Sequence, residues 1–447
     1  MSNTDFNWQC QPEAERFLLE ILDRCIKLNP MIEQLQNQLL NQTSTRLFDW
    51  LDHLVIADTE INVALLQSLG FVRHENMNPT PVYFHPGAQF PQLVLKSAPL
   101  GIAVAVESIA DFLLAKGGES TVIEGTPLSP YRRCLISSHP EASLWVVERR
   151  DLSVIEPTWE EPSLTQIYLH AREKWQSRQR NCLDQDQAMQ EALTLAQELV
   201  PMVGQTQAAW IVLEGERKYW QMRNQAGQLQ KCRQDRLGMG WANHDHHTFR
   251  SSRRYFSQLV HLFEILGFHC RERFYAGAEA GWGAQIMENP SCRLVLFLDV
   301  DLSPEEIADD FAHGPLPDLP QLGTIGLWCA LHGDSILQAG MHHLEAQFQF
   351  DELTQDLAKR GVDMMKPFSS FSYLKQAFTA GEVWPVSENR IQQLLKAEKI
   401  TQEQANKFSQ QGAIGSHLEN LQRREGYKGF NQKNVSVIIK KTDPRYL

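Results

Sequence analysis

The chain has no long apolar run: nothing in it approaches the roughly 18 to 20 residues that a membrane span needs. Its first residues (MSNTDFNWQCQPEAE) carry neither the basic start nor the apolar centre of a secretory signal. Paired cysteines are missing too. The eight cysteines are scattered, with no Cys-x-x-Cys among them, which argues for reduced, mostly buried thiols and against a disulfide frame or a structural zinc site. Positive charge is scarce: 42 Lys+Arg stand against 54 Asp+Glu, a formal net charge of −12. Such a surface repels phosphate backbones, so nucleic acid is not an expected partner. These absences predict a cytoplasmic protein with neither membrane nor nucleic acid as its partner. With 447 residues, 43% of them hydrophobic, there is enough chain for one large core or two ordinary ones.

What the chain does have is internal repetition. "DHLVIA" followed by "VALLQSLGF" (residues 52–71) recurs as "DHHTFR" followed by "VHLFEILGF" (245–268). Each reads as a strand opened by Asp-His and then an amphipathic helix closed by Gly, which suits a left-handed helix end. Two weaker copies, at 101–118 and 342–361, keep the same order. Short strand-like runs follow each helix: 82–85, 92–96, 131–137, 144–148, 293–299 and 435–440. The fold class expected is therefore α+β, built from tandem βαβββ units. A lone unit cannot bury its sheet face, so the units should pair. A helical pattern runs within 12–48, with Phe17, Leu18, Ile21, Leu22, Cys25 and Ile26 at helical spacing; Pro30 interrupts it, and a second helix is expected over 31–40. A helical connector is expected over 163–200, a strand over 208–213, a polar hairpin over 218–236 and a helical excursion over 389–411.

The densest chemical cluster is Asn243-His244-Asp245-His246-His247-Thr248-Phe249-Arg250. On a strand, His246, Thr248 and Arg250 share one face, while Asp245, His247 and Phe249 share the other. An imidazole that binds a divalent ion, with a guanidinium four residues on, suits a chelated substrate whose far carboxylate needs a partner. The fourth unit opens with Met341-His342-His343-Leu344-Glu345. Pairing of units would bring His342 or His343 to the same ion as His246. Glu345, Glu388 and Glu382 are the carboxylates available as a third ligand. In the first half His53 and Glu148 stand at matching places, but Gly101 occupies the position of the second histidine. His85 is a weaker substitute, and a half that has lost its metal is the favoured reading.

The paired strand–helix–strands units, with a histidine opening the first strand, resemble the vicinal-oxygen-chelate superfamily. Over residues 240–447 the chain is similar to the 2-oxoadipate dioxygenase/decarboxylase (2-hydroxyglutarate synthase) family within it. The segments that carry the likeness are "DHHTFRSS", "CRLVLFLDVDLSPEEI", "HHLEAQF" and "GFNQKNVSVIIKKT". The resemblance implies His246 and His343 as iron(II) ligands and Arg250 as the clamp on a small 2-oxo acid. The family's carboxylate ligand lies in a Glu-Phe-x-x-Arg-like segment, which Glu388-Asn389-Arg390 resembles in shortened form. Lys440 stands where the family tends to have an acid. The activity implied is an iron-dependent oxidative decarboxylation giving a 2-hydroxy acid, with O2 as co-substrate. Other divalent metals, with lyase or isomerase chemistry, and a non-catalytic binding role remain open. The division implied is a helical segment (1–48), a degenerate domain (49–150), a helical connector (151–207) and a metal-binding domain (208–447).

Overall fold

Four times in this chain a strand runs into a short helix, and each time that strand ends up in the interior of a sheet. A computed structural model describes residues 8–75, 80–117, 121–159, 161–180, 182, 184–431 and 443–445. Two helices lead, α1 (Pro12–Leu28) and α2 (Pro30–Thr43), split by Pro30 at the first turn of α2, where Asn29 caps the Met31 N–H. The first unit is β1 (Leu51–Ala57), α3 (Glu60–Ser68), β2 (Val72–Arg73), β3 (Val82–Phe84) and β4 (Gln92–Lys96). The second is β5 (Leu100–Ala105), α4 (Ile109–Ala115), β6 (Tyr131–Ser138) and β7 (Ala142–Arg149). Four helices follow: α5 (Pro162–Gln176), α6 (Gln185–Val203), α7 (Gln205–Gln221) and α8 (Gln225–Asp235).

The third unit comprises β8 (His244–Arg250), α9 (Phe256–Ile265), β9 (His269–Tyr275), β10 (Trp282–Asn289) and β11 (Leu294–Asp301). After α10 (Thr324–His332) the fourth begins with β12 (His343–Gln347), α11 (Phe350–Ala358), β13 (Ser369–Ser370) and β14 (Leu374–Phe378). It is interrupted by β15 (Glu382–Trp384), α12 (Glu388–Lys396) and α13 (Gln402–Gln411), and closes with β16 (Ala413–Arg423). Gly70 (φ +85°) and Gly267 (φ +86°) close α3 and α9 in the left-handed conformation that the Leu-Gly-Phe repeats predict.

The fold is α+β, with units paired in two sheets. The first sheet runs β2-β3-β4-β1-β5-β7-β6 and the second β13-β14-β16-β12-β8-β11-β10-β9, with β15 on β16. At each centre the pairing is the same: β1 is parallel to β4 and antiparallel to β5, and β5 is parallel to β7. Likewise β8 is parallel to β11 and antiparallel to β12, and β12 is parallel to β16. The outer face of the second sheet is sealed by a core that includes Trp175, Leu199, Ile211, Trp241, Phe249 and Phe263. That of the first packs on α1 and α2 through Leu18, Ile21, Leu35 and Trp50. No helix among the described residues is long and apolar enough to cross a membrane, and all eight cysteines are free thiols.

Two expectations fail between the sheets. Residues 208–213 lie in the helix α7, not in a strand, and 218–236 form the end of α7 and all of α8, not a hairpin. The run Trp210-Ile211-Val212-Leu213 is apolar on consecutive positions because the helix is packed almost all round, with 211–213 fully buried. A short apolar run of this kind has no period that separates strand from helix. The terminal strand expected at 435–440, Lys440 included, lies outside the described residues.

Candidate metal centre

Alternation along β8 turns His246, Thr248 and Arg250 onto the inner face of the second sheet, where all three line one small cavity of about 90 Å3. Phe249 goes to the core on the opposite face, and His247 lies there beside the Arg217 guanidinium at 3.2 Å. The neighbouring strand β12 brings His343 opposite Thr248, and β16 brings His417 opposite His343. Two residues further along β16, Glu419 reaches the same cavity.

The Nε2 atoms of both histidines face one carboxylate oxygen, Glu419 Oε2, at 3.9 Å from His246 and 3.1 Å from His343. His246, His343 and Glu419 each offer a ligand atom within 4.8 Å of the others, and all three are buried. His343 Nε2 also meets Thr248 Oγ1 at 2.8 Å, and on their far sides both rings have a close neighbour. His246 Nδ1 lies 2.7 Å from Glu345 Oε1, and His343 Nδ1 lies 2.9 Å from His342 Nδ1. Gln376 Nε2 donates to Glu345 Oε2 at 2.8 Å and to Glu419 Oε1 at 3.1 Å. A histidine anchored through one nitrogen with the other directed at a shared point is the arrangement of a metal-ligating imidazole.

Asp245, His246 and Glu345 make a second such group, but its acids are engaged elsewhere. Arg423 grips Asp245 through Nε and Nη2, both at 3.1 Å, and neither Asp245 nor Glu345 lines the small cavity. Of these two buried groups the open one is therefore His246, His343 and Glu419. Two imidazoles and one carboxylate form the donor set of a divalent transition metal with free positions for other ligands, so the residues present fit such an ion.

Burial and closely set opposite charges govern the electrostatics of the cavity. Burial disfavours a charge on His246, yet the Glu345, Asp245 and Glu419 carboxylates prevail and hold its imidazole up to about 10. Burial pushes the Glu345 and Glu419 carboxyls up, and for Glu345 the neighbouring Glu419 adds to it. At the other end of the cavity Arg250 is buried over the Trp328 ring. Its Nε and Nη1 have no hydrogen-bond partner among the described residues, and Asp299 Oδ2 is 3.8 Å from Nε. Burial pushes the Asp299 carboxyl up to about 7, although Arg250 and His246 oppose it. Phe274, Trp282, Phe297, Phe368 and Phe378 form the walls.

The structure brings His246, His343 and Arg250 together and leaves Glu388 out. Glu388 opens α12 in an exposed position, where its carboxylate accepts from Gln392 at 2.7 Å and Ser409 at 3.3 Å. Glu382, the other distant option, accepts the Gln225 N–H at 2.9 Å. Glu345 lies behind His246, at the place where β8 carries one residue more than β12. The carboxylate that meets both histidines is Glu419, and a signal for it was present. Glu419-Asn420-Leu421-Gln422-Arg423 keeps a Glu-to-Arg spacing of four, whereas Glu388 to Arg390 spans two. The alternation that marks a half-exposed strand is lost here because β16 is buried on both faces.

Register fixes the corresponding positions in the first sheet. Gly101 pairs with Val55, two residues beyond His53, and with Ser143, two residues before Trp145. His53, Gly101 and Trp145 thus occupy the places of His246, His343 and Glu419. Glu148, the other residue singled out in this half, accepts the Ile109 N–H at 2.7 Å and Arg132 at 2.8 Å. His85 packs edge-on against Phe71 and Phe90.

No family model and no curated protein matches the chain. Solved structures similar to it include a mutant 4-hydroxymandelate synthase from Streptomyces coelicolor, at 12% identity over 90% of this chain and 97% of that one, with a TM-score of 0.29. Methylmalonyl-CoA epimerase from Mycobacterium tuberculosis aligns at 10% identity over 41% of this chain and 89% of its own, TM-score 0.24. An uncharacterised Shigella flexneri protein that includes domain DUF1338 aligns at 12% identity over 61% and 82%, TM-score 0.24. Scores of this size leave the reading of the centre to its own side chains.

Proposed function

We propose that His246, His343 and Glu419 bind iron(II) and that the protein oxidatively decarboxylates a small 2-oxo acid, with O2, to a 2-hydroxy acid. The observation that carries this reading is the common cavity. One end holds the two histidines and a carboxylate; the other holds a buried guanidinium with two unpartnered nitrogens. A 2-oxo acid with a second, distal carboxylate spans these ends. Iron(II), when bound, supplies the oxygen chemistry that amino-acid side chains lack.

The chain's own contribution is placement. Arg250 takes the distal carboxylate, a charge-assisted pair made stronger by the aromatic walls that keep water out. Glu345 and His342 fix the ring orientations of His246 and His343 from behind, and Gln376 holds Glu345 and Glu419 in register.

The test is anaerobic purification with iron(II), followed by oxygen uptake with a panel of 2-oxo acids headed by 2-oxoadipate. Uptake matched by carbon dioxide release, absent in His246→Ala, supports the reading. Arg250→Ala should raise the substrate concentration required by roughly tenfold or more, with a smaller change in kcat. Tight zinc or nickel binding without oxygen consumption would overturn the dioxygenase.

A further inference from the structure

A second and larger cavity, of about 550 Å3, opens between the two sheets and is lined by residues of both. His246, His343 and Glu419 are not among its walls. Most of its cations are neutralised in place. Arg149 is paired with Asp52, Arg423 with Asp245, Arg217 with Glu107 and Arg271 with Glu272.

Arg293 is different. Its guanidinium has no carboxylate within ion-pair distance among the described residues; the partner it does have is a backbone carbonyl, Phe90 O, at 3.2 Å from Nη2. Its backbone sits in the left-handed region (φ +56°), at the last position of the turn that joins β10 to β11. Glycine or asparagine is the ordinary occupant there, because a Cβ crowds the carbonyl. The fold keeps a long cationic side chain at this left-handed position, exposed and lining the cavity.

A second group points the same way. Gln92 is 2% exposed, lines the same cavity two residues beyond Phe90, and its Oε1 has no donor. An acceptor buried without a partner is costly unless something occupies it. Trp210 and Phe90 supply apolar wall to the same cavity.

We propose that this cavity is a second ligand site, for a small carboxylate carrying an apolar or aromatic body and an N–H or O–H donor. The carboxylate pairs with Arg293, the donor satisfies Gln92 Oε1, and the body lies against Trp210 and Phe90. The volume suits a molecule of metabolite size.

Calorimetric titration of the full chain with indole-3-acetate, against indole-3-acetamide as its uncharged match, tests the site. The acetate should bind at least about tenfold more tightly than the amide, a charge-assisted pair being the difference. Arg293→Gly should remove that preference. Because glycine relieves the backbone, this variant should melt no lower than the parent, which separates lost binding from lost folding. Acetate affinity should be the same after chelator treatment as in metal-loaded protein. Equal affinity for acetate and amide, no binding of either, unchanged binding in Arg293→Gly, or loss of binding on chelation (which would put the carboxylate at the metal centre) would each overturn the proposal.

Discussion

Arg423 closes on Asp245 from the neighbouring half of the second sheet, with Nε and Nη2 each 3.1 Å from a carboxylate oxygen. The first sheet repeats the pair: Arg149 Nε lies 2.8 Å and Nη2 2.6 Å from Asp52. Both aspartates sit at a bulge where the first strand of the pair carries one extra residue, a local feature that re-aims a side chain. Both precede the histidine of their strand, and each arginine stands four residues beyond Glu419 or its counterpart Trp145. The ion pair thus belongs to the framework of the repeated unit, and only the second sheet has the two histidines and carboxylate proposed to bind the metal.

Arg423→Met should therefore act on stability in the first place. It leaves Asp245 buried without its counter-ion, a change that costs about 3–5 kcal/mol, read as a lower urea midpoint. Burial opposes the Asp245 charge, but Arg423 and His246 hold its carboxyl well below the usual carboxylate range. The stabilisation is present above the unfolded value of about 3.9 and is lost only as pH falls below it. The deficit of the variant should thus be full at neutral pH and narrow on acidification. An unchanged midpoint at pH 7 would remove the structural role.

Glu419 and Glu388 give a direct contrast. Glu419→Ala should lose metal affinity by about a hundredfold or more, a ligand being worth at least as much as the outer partners whose removal costs 10–100-fold. Glu388→Ala, on an exposed helix end, should titrate with metal as the parent does. Competition against a chromophoric chelator measures both. Equal affinity in the two variants would assign the third ligand elsewhere.

Much of the framework was legible because it rests on local period and repetition. Asp52-His53 and Asp245-His246, the Gly70 and Gly267 helix ends and the inward turn of His246, Thr248 and Arg250 all follow from spacing along one segment. What was not legible depends on partners distant in sequence. Glu419 becomes a neighbour of His343 only through the parallel register of β12 and β16, across the α12–α13 insertion. Helix α7 hides its period because α5, α6 and the second-sheet core surround it, and Arg293 gives no sign in sequence that it lacks a carboxylate. Burial on all sides erases the alternation that sequence reading relies on.

One metal per chain is the expected stoichiometry. In the first sheet the positions matching His246, His343 and Glu419 hold His53, Gly101 and Trp145, and His53 Nδ1 is bound at 2.7 Å to Asp52, itself gripped by Arg149. A Cβ at Gly101 would lie 2.6 Å from Ser143 Oγ, so a side chain there requires that hydroxyl to turn aside. His53→Ala should leave the metal content at one per chain while lowering the melting temperature. A second equivalent lost in that variant would show that the first half also binds.

The last prediction concerns Asp299 and Arg250. Burial pushes the Asp299 carboxyl up to about 7 against the pull of Arg250 and His246. Below that pH Asp299 is neutral and the Arg250 charge is available to a substrate carboxylate; above it Asp299 is an anion 3.8 Å from Nε and competes. KM for a dicarboxylate substrate should rise as pH passes upward through about 7, and the rise should vanish in Asp299→Asn. Stability supplies a readout independent of turnover. An acid raised in the folded state binds its proton more tightly than the unfolded chain does, so its contribution falls between the unfolded value of about 4 and the folded value near 7. Asp299→Asn should gain on the parent across that window and stay more stable at pH 8. A KM slope that persists in Asp299→Asn would mean that another group near Arg250 governs access to the guanidinium.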